Sequence, residues 1–187
     1  VAGNGRDIVL SVDGWVAVNY AMRHAVEDLT QFPGFEEVAS HFMPSALETL
    51  TYDNGTHKGI FGLPETQNFS LLFYRQDVLD ELELKVPDTW EELIAMLPTI
   101  QGKSLTVGVP FPDIALADIS ILNSMIFQNG GQIYDDAKKH TLIDSEAGVA
   151  AFKQYTSLYN DYGLPVGFDF VSRFRSGEMP IGVASYN

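Results

Sequence analysis

The chain has 187 residues, and its 25 acidic against 11 basic side chains give a formal net charge of −14. Such a charge is repelled by phosphate backbones and anionic membrane surfaces, which makes nucleic acid a poor partner. The chain contains no cysteine, which excludes zinc–thiolate sites, iron–sulfur clusters, thiol nucleophiles and disulfide frameworks. With 45% hydrophobic and 19% charged residues, the chain is too apolar for a disordered one.

The first third of the sequence predicts a mixture of short strands and helices. Asn54-Gly55 between two extended windows is typical of a hairpin turn. The elements predicted here are a strand over 7–12, a helix over 16–29, a helical stretch over 36–50 that Pro44 weakens, and a hairpin around 53–56 whose second strand covers 59–64.

The remainder of the chain alternates strands and helices, which predicts an α/β layer arrangement. The clearest helix start is at Thr89, whose hydroxyl can cap the Glu92 amide while the Glu92 carboxylate reaches back. The predicted strands cover 70–74, 106–109, 132–136, 140–144 and 179–184. The predicted helices cover 76–82, 115–129 and 170–175, together with one that starts at Thr89 and one after Ser145 whose apolar face holds Val149, Phe152, Tyr155, Tyr159 and Tyr162.

The sequence lacks the motifs of phosphate-binding, nucleophilic and metal sites. No glycine-rich phosphate loop follows a strand, and no Gly-x-Ser-x-Gly elbow is present. The four histidines have no paired spacing, and Asp135-Asp136 indicates a solvated hairpin tip better than a calcium loop. We therefore predict no cofactor and no metal.

Polar and aromatic residues instead follow the ends of predicted strands. Ligands of open α/β sheets bind in the crevice outside the carboxyl ends of the strands. Carboxylates and amides beside aromatic rings suit a sugar, whose hydroxyls are hydrogen-bonded and whose C–H faces stack on rings. The residues in this position are Asp13, Trp15, Glu65, Gln67, Asn68, Phe111 and Asp113.

Five segments in a fixed order carry a family resemblance across the chain from Asp7 onward. They are Gly62-Leu63-Pro64-Glu65-Thr66-Gln67-Asn68 running on into Leu71-Leu72-Phe73-Tyr74-Arg75-Gln76-Asp77-Val78-Leu79, then Val86-Pro87-Asp88-Thr89-Trp90-Glu91-Glu92-Leu93, Gln128-Asn129-Gly130-Gly131, Asp144-Ser145-Glu146-Ala147 and Phe174-Arg175-Ser176-Gly177-Glu178-Met179-Pro180-Ile181-Gly182. This order resembles the family 1 extracellular solute-binding proteins, the sugar-type receptors of ABC importers related to maltose-binding protein.

The resemblance implies the type II periplasmic-binding-protein fold, with two lobes of mixed sheets flanked by helices. Members of that family are about twice as long, so we expect an interior piece of a receptor, truncated at both ends. The implied organisation is a partial first lobe over 1–67, a hinge crossing over 68–73 and an incomplete second lobe over 74–187. Because ligand contacts would come from both lobes, we expect the piece by itself to bind sugar weakly or not at all.

The resemblance also implies a function without catalysis. The protein would capture a carbohydrate between its lobes by hinge closure and deliver it to the permease subunits of the transporter. It would be extracytoplasmic, as a cell-surface lipoprotein or in the periplasm, and peripheral to the membrane through an anchor absent from this chain. The ligand-binding residues would be Asp13, Trp15, Glu65, Gln67, Asn68, Phe111, Asp113 and Tyr186.

Two alternatives remain open at this stage. A carbohydrate-active enzyme needs only a pair of carboxylates, and Glu65 with Asp113 or Asp169 would supply one. The other alternative is an interaction domain that has no small-molecule ligand.

Overall fold

A computed structural model describes residues 5–67, 69–111 and 119–186. The chain forms two compact units, Val1–Asn68 and Phe69–Asn187. The predicted hinge segment, 68–73, begins at this division and continues into the second unit, and its role as a hinge stays a prediction.

The first unit consists of short helices and one hairpin. Its elements are α1 (Gly14–Met22), a single 3-10 turn (Leu29–Gln31), α2 (Phe35–Ala39), α3 (Pro44–Glu48), β1 (Thr51–Asp53) and β2 (Lys58–Ile60). The predicted hairpin is confirmed, with Thr51 paired to Ile60 and Asp53 to Lys58. The helical stretch predicted over 36–50 is two helices, because Pro44 lacks an N–H and starts a new helix at its first position.

The strand predicted over 7–12 is wrong. The backbone there has no strand partner among the described residues, and Ile8 and Leu10 are 77% and 72% exposed. Ser11 has φ 57°, a left-handed conformation that interrupts extended backbone. An apolar run that would suit a buried strand is therefore a surface segment in this unit.

A single carboxylate, that of Asp28, ties the 3-10 turn to the hairpin. It accepts hydrogen bonds from the Thr30 amide at 3.0 Å and the Ile60 amide at 3.2 Å, and pairs with His57 Nε2 at 2.6 Å. Burial raises the pKa of Asp28, but the hydrogen bonds from Thr30, His57 and Ile60 together outweigh burial and hold the pKa below its ordinary value. Gly59 permits this approach, since a Cβ there would lie 2.6 Å from the carboxylate.

The second unit is a three-stranded sheet with helices on both faces. Its elements are β3 (Phe69–Tyr74), α4 (Gln76–Glu81), α5 (Trp90–Gly102), β4 (Val107–Gly108), α6 (Ser120–Gln128), α7 (Glu146–Asn160), α8 (Phe170–Ser176) and β5 (Ile181–Tyr186). The strand order is β3-β5-β4, with β5 antiparallel to β3 and parallel to β4.

The predicted helix start at Thr89 is confirmed by the hydrogen bonds of α5. Thr89 Oγ1 accepts from the Glu92 amide at 3.1 Å, and the Glu92 carboxylate accepts from the Asp88 amide at 2.7 Å. The cap directs the apolar face of the helix into the core, where Leu97 and Ile100 are 1% and 0% exposed.

The structure differs from prediction at α7 and before it. The buried side chains of α7 are Ala151, Tyr155 and Leu158, whereas Val149 and Phe152 are 41% and 56% exposed. Both faces of this helix carry apolar residues, and the face with Ala151, Tyr155 and Leu158 is the buried one, which confirms the prediction for Tyr155 alone among these three. The strands predicted over 132–136 and 140–144 reduce to one bridge between Tyr134 and Thr141.

Two glycines lie side by side in adjacent strands of the sheet. Gly108 of β4 is the register partner of Gly182 of β5. A Cβ on Gly108 would lie 2.9 Å from the Phe168 ring, and one on Gly182 would collide with the Phe170 ring. The aromatic segment at the start of α8 thus occupies the space that two side chains would otherwise fill.

Candidate functional site

The carboxyl ends of two strands meet at one edge of the sheet in the second unit. Because β4 and β5 are parallel, the residues that follow Gly108 and Gly182 run toward the same edge. Phe111 lies three residues beyond Gly108, and Tyr186 four residues beyond Gly182. The structure therefore brings two of the predicted site positions to the same edge of this sheet.

Phe111 belongs to a cluster of three aromatic rings at this edge. Its ring stacks on Tyr155 with a centroid distance of 6.2 Å and an interplanar angle of 6°. It meets Tyr159 edge to face at 4.7 Å. Phe111 itself is 43% exposed, so the cluster presents one aromatic ring to solvent on a support of two others.

The hydroxyl groups of both tyrosines are hydrogen-bonded to the end of β4. Tyr155 donates to the Pro110 carbonyl at 2.7 Å, and Tyr159 lies 3.0 Å from the carbonyls of both Val109 and Pro110. Burial, with a smaller effect of the neighbouring Tyr155 hydroxyl, raises the pKa of Tyr159 well above its ordinary value. The Tyr159 hydroxyl consequently stays protonated and remains a donor.

A second group of predicted site residues lies in the first unit. The Glu65 carboxylate accepts from the Ser11 amide at 2.8 Å and so joins its own segment to the one that leads into α1. Asp13 precedes α1, makes no capping hydrogen bond with its side chain, and is exposed. Trp15, in the first turn, is 72% exposed, and Gln67 is exposed as well. Glu65 thus lies near the Asp13–Trp15 segment, with polar and aromatic groups open to solvent.

Three of the predicted ligand-binding residues are either not described or described by their main chain alone. Asn68 and Asp113 lie outside the described residues, and for Tyr186 only the main chain is described. Their assignment to the ligand site stays a prediction.

The carboxylate pair of the glycosidase alternative finds no support. Asp169 caps α8 and accepts from the Ser172 hydroxyl at 2.6 Å and from the Ser172 amide at 3.1 Å. Both hydrogen bonds lower the pKa of Asp169, and the one from the Ser172 hydroxyl has the larger effect. Asp169 thus serves as a helix cap, and its lowered pKa does not favour the general acid of a glycosidase, which needs a raised pKa.

A groove of about 550 Å³ in the second unit has a lining that the sequence did not predict. The Trp90 indole donates to Gln128 Oε1 at 2.8 Å at its wall. The uncharged polar side chains around it come from β3, from α5 and α6 with their capping residues, and from α7, and no one spacing along the chain relates all of them. They are Ser70, Thr89, Ser124, Gln128, Asn129 and Gln154.

Within residues 5–67, 69–111 and 119–186, no three histidine, aspartate or glutamate side chains are grouped so that they could hold a metal ion. In the same ranges, no helix is both long enough and apolar enough to cross a bilayer.

Solved structures share this fold. The substrate-binding protein Lmo0181 of Listeria monocytogenes, in complex with cycloalternan, has a TM-score of 0.69 at 21% identity, covering 93% of this chain and 46% of that one. Maltose-bound MalE3 of T. maritima scores 0.72 at 24% identity, covering 90% and 44%. UgpB of Mycobacterium tuberculosis, in complex with glycerophosphocholine, scores 0.69 at 20% identity, covering 90% and 42%.

The chain spans less than half the length of these structures, which show that its fold is that of the type II periplasmic binding proteins. The family model described as "Bacterial extracellular solute-binding protein" matches residues 1–187. The family expected from the ordered segments is confirmed, and this chain belongs to the bacterial extracellular solute-binding proteins.

Proposed function

We propose that this chain is part of the substrate-binding component of an ABC importer and that its ligand is a carbohydrate. The observation that carries the proposal is the exposed Phe111 ring, supported by two tyrosines at the carboxyl edge of a sheet in a solute-binding fold. A partly exposed, immobilised ring is the surface on which the C–H face of a pyranose stacks.

In this proposal the first unit would supply further groups that bind the ligand. Asp13 and Gln67 are exposed acceptors and donors for sugar hydroxyls, and Trp15 is a second exposed aromatic surface. Glu65 already bonds to Ser11 and retains carboxylate lone pairs for a ligand hydroxyl. In this proposal Asn68, Asp113 and Tyr186 complete the ligand site.

The proposal extends to the whole transporter component. The chain would divide into a first lobe over 1–67, a hinge over 68–73 and a second lobe over 74–187. The two lobes would close around the sugar by bending at the hinge. Outside the cytoplasm, the closed form would deliver the sugar to the permease subunits. The protein would bind its ligand without converting it chemically. Proteins of this fold bind cycloalternan and maltose in two of the solved structures, which supports a carbohydrate.

A phosphodiester ligand is the second candidate, because UgpB shares the fold and binds glycerophosphocholine. Glycerophosphocholine is a zwitterion with no net charge, so the net charge of −14 does not separate it from a neutral sugar, and a ligand panel must do so.

Saturation-transfer NMR on the whole receptor of which this chain is proposed to be a part tests the proposal, since it detects binding as weak as a millimolar Kd. The panel would contain maltose, laminaribiose, glucose and glycerophosphocholine. We expect transfer to a sugar, its loss in Phe111→Ala, and no release of reducing ends over hours. Phe127→Ala is the matched control, because Phe127 is 58% exposed on α6 of the same unit and lies outside the predicted site.

Transfer to no sugar would overturn the carbohydrate assignment. Transfer to glycerophosphocholine alone would replace it with the second candidate, and steady cleavage of a glycoside would overturn the binding function itself.

A further inference from the structure

Two tyrosines of α7 converge on one short piece of backbone. Tyr155 and Tyr159 are four residues apart, so they lie on the same face of the helix one turn from each other. Their rings meet edge to face at 5.3 Å. Both hydroxyls reach the Val109-Pro110 carbonyls, about 45 to 50 residues earlier in the chain. This contact fixes the backbone that leads directly into Phe111.

The same two residues also hold the Phe111 ring itself. Tyr155 supplies a parallel face and Tyr159 a perpendicular edge, so the ring is constrained on two sides. Tyr155 is 3% exposed and Tyr159 is half-buried, whereas Phe111 is 43% exposed. The tyrosines are therefore a support beneath the ring, and the ring is the member of the cluster most open to solvent.

We propose that Tyr155 and Tyr159 are positioning residues that set the affinity for a sugar by orienting the Phe111 ring, an inference that rests on the proposed carbohydrate function. Stacking depends on the angle and position of a ring, and a ring that is ordered before binding loses little conformational entropy when the ligand arrives. The tyrosine hydroxyls supply that order through the backbone, and the tyrosine rings supply it through contact.

Removing one hydroxyl at a time separates this role from simple packing. Tyr155→Phe and Tyr159→Phe keep the rings and delete the hydrogen bonds to Val109 and Pro110. We expect each change to raise Kd about three- to tenfold, as the loss of one net hydrogen bond would. Tyr162→Phe is the matched control, because Tyr162 lies just beyond α7, is 38% exposed and is not part of the cluster. We expect it to leave Kd unchanged.

A double-mutant cycle with Phe111→Leu supplies the readout that a purely structural role would not move. If the hydroxyls act through the ring, Tyr159→Phe weakens binding in the parent chain and causes no further loss in the Phe111→Leu background. Phe111→Trp restores a stacking ring and is expected to restore the sensitivity to Tyr159→Phe. All titrations use the whole receptor that carries this chain and the sugar of the panel that binds it most tightly.

The outcomes separate the two proposals. If the parent chain binds a sugar and the tyrosine variants bind it with the same Kd, the positioning role is overturned and the carbohydrate function stands. Equal losses in the parent and Phe111→Leu backgrounds would likewise overturn it, since they would show a general structural effect. If the whole receptor that carries this chain binds no sugar, the carbohydrate function fails and the positioning role fails with it.

Discussion

The two units of this chain are stabilised by different means. The second unit has a continuous apolar core built from its sheet and four of its helices, in which Leu79, Ile100, Met125 and Leu158 are fully buried. Among the described residues of the first unit, five apolar side chains are buried and three of them are alanines: Ala17, Ala21, Phe35, Ala46 and Leu50. Its turns are joined instead by carboxylates, those of Asp28 and Glu65.

This difference determines how each unit responds to perturbation. Burial of apolar surface scales with area and tolerates changes of pH, whereas a bonded carboxylate is one group whose protonation removes several contacts at once. We therefore expect core truncations to dominate in the second unit and carboxylate substitutions to dominate in the first.

The largest effect is expected from Leu97→Ala in the second unit. Leu97 is 1% exposed in the core cluster, and truncating a buried leucine lowers the free energy of unfolding by about 2–5 kcal/mol. Urea denaturation would measure this loss. Leu71→Ala, at a leucine 45% exposed on β3, is the matched control and should cost much less. A loss from Leu50→Ala in the first unit as large as that from Leu97→Ala would break the comparison.

The next effect is expected from Asp28→Ala in the first unit. The change leaves the amides of Thr30 and Ile60 without their acceptor, which costs about 1–3 kcal/mol. Hydrogen exchange would show it as faster exchange at β2 and at the 3-10 turn, with α5 unchanged. Asp13→Ala is the control, because the Asp13 side chain makes no capping bond. Unchanged exchange at Ile60 would contradict the role of Asp28.

The pH dependence of the first unit follows from the same carboxylate. Its pKa is lower folded than unfolded, so its contribution to stability is complete above the ordinary aspartate value of 3.8. That contribution is lost as the pH falls through the folded pKa. The protection factor of the Ile60 amide, its exchange rate relative to the intrinsic rate at the same pH, should fall below about pH 4, and Asp28→Asn should flatten this profile. A profile as steep in Asp28→Asn as in the parent would assign the acid sensitivity to another group.

A smaller effect is expected from Thr89→Ala at the start of α5. It removes the acceptor of the Glu92 amide and should cost about 1 kcal/mol, measured by urea denaturation. Thr99→Ala, at an exposed position inside the same helix, is the control and should cost nothing or stabilise slightly. Equal stability of Thr89→Ala and the parent would show that the cap is replaced by water.

The sequence predicted those parts of the fold that depend on neighbouring residues. The Asn54-Gly55 turn and the Thr89 cap are short-range interactions, and both occur as expected. The strand predicted over 7–12 is wrong because its apolar pattern is equally compatible with a strand and with a surface segment. Only a partner strand would decide between the two, and none pairs with it among the described residues. The predicted face of α7 is confirmed for Tyr155, which is buried, and for Tyr159, which packs against the core. It is wrong for Val149 and Phe152, because Phe152 and Leu158 are both apolar and only packing distinguishes them.

The sequence predicts candidate site residues from the ends of predicted strands, among them Phe111 and Glu65, and their role in ligand binding stays a prediction. Their contacts are another matter. The hydrogen bonds from Tyr155 and Tyr159 to the end of β4 join residues at least 45 positions apart, and no local pattern signals them. The groove beside Trp90 was not predicted for the same reason, since the residues of its wall come from four separate elements.

The glycine pair in the sheet has a consequence for how this protein can vary. Met179 Sδ and the Phe168 ring fill the space beside Gly108, and the Phe170 ring fills the space beside Gly182. A methyl group on either glycine is blocked while these side chains keep their places, and a smaller residue at 168 or 170 leaves a void while both glycines remain. These five positions are therefore coupled in sequence space, so that a larger residue in either strand requires a compensating change in the side chains beside it.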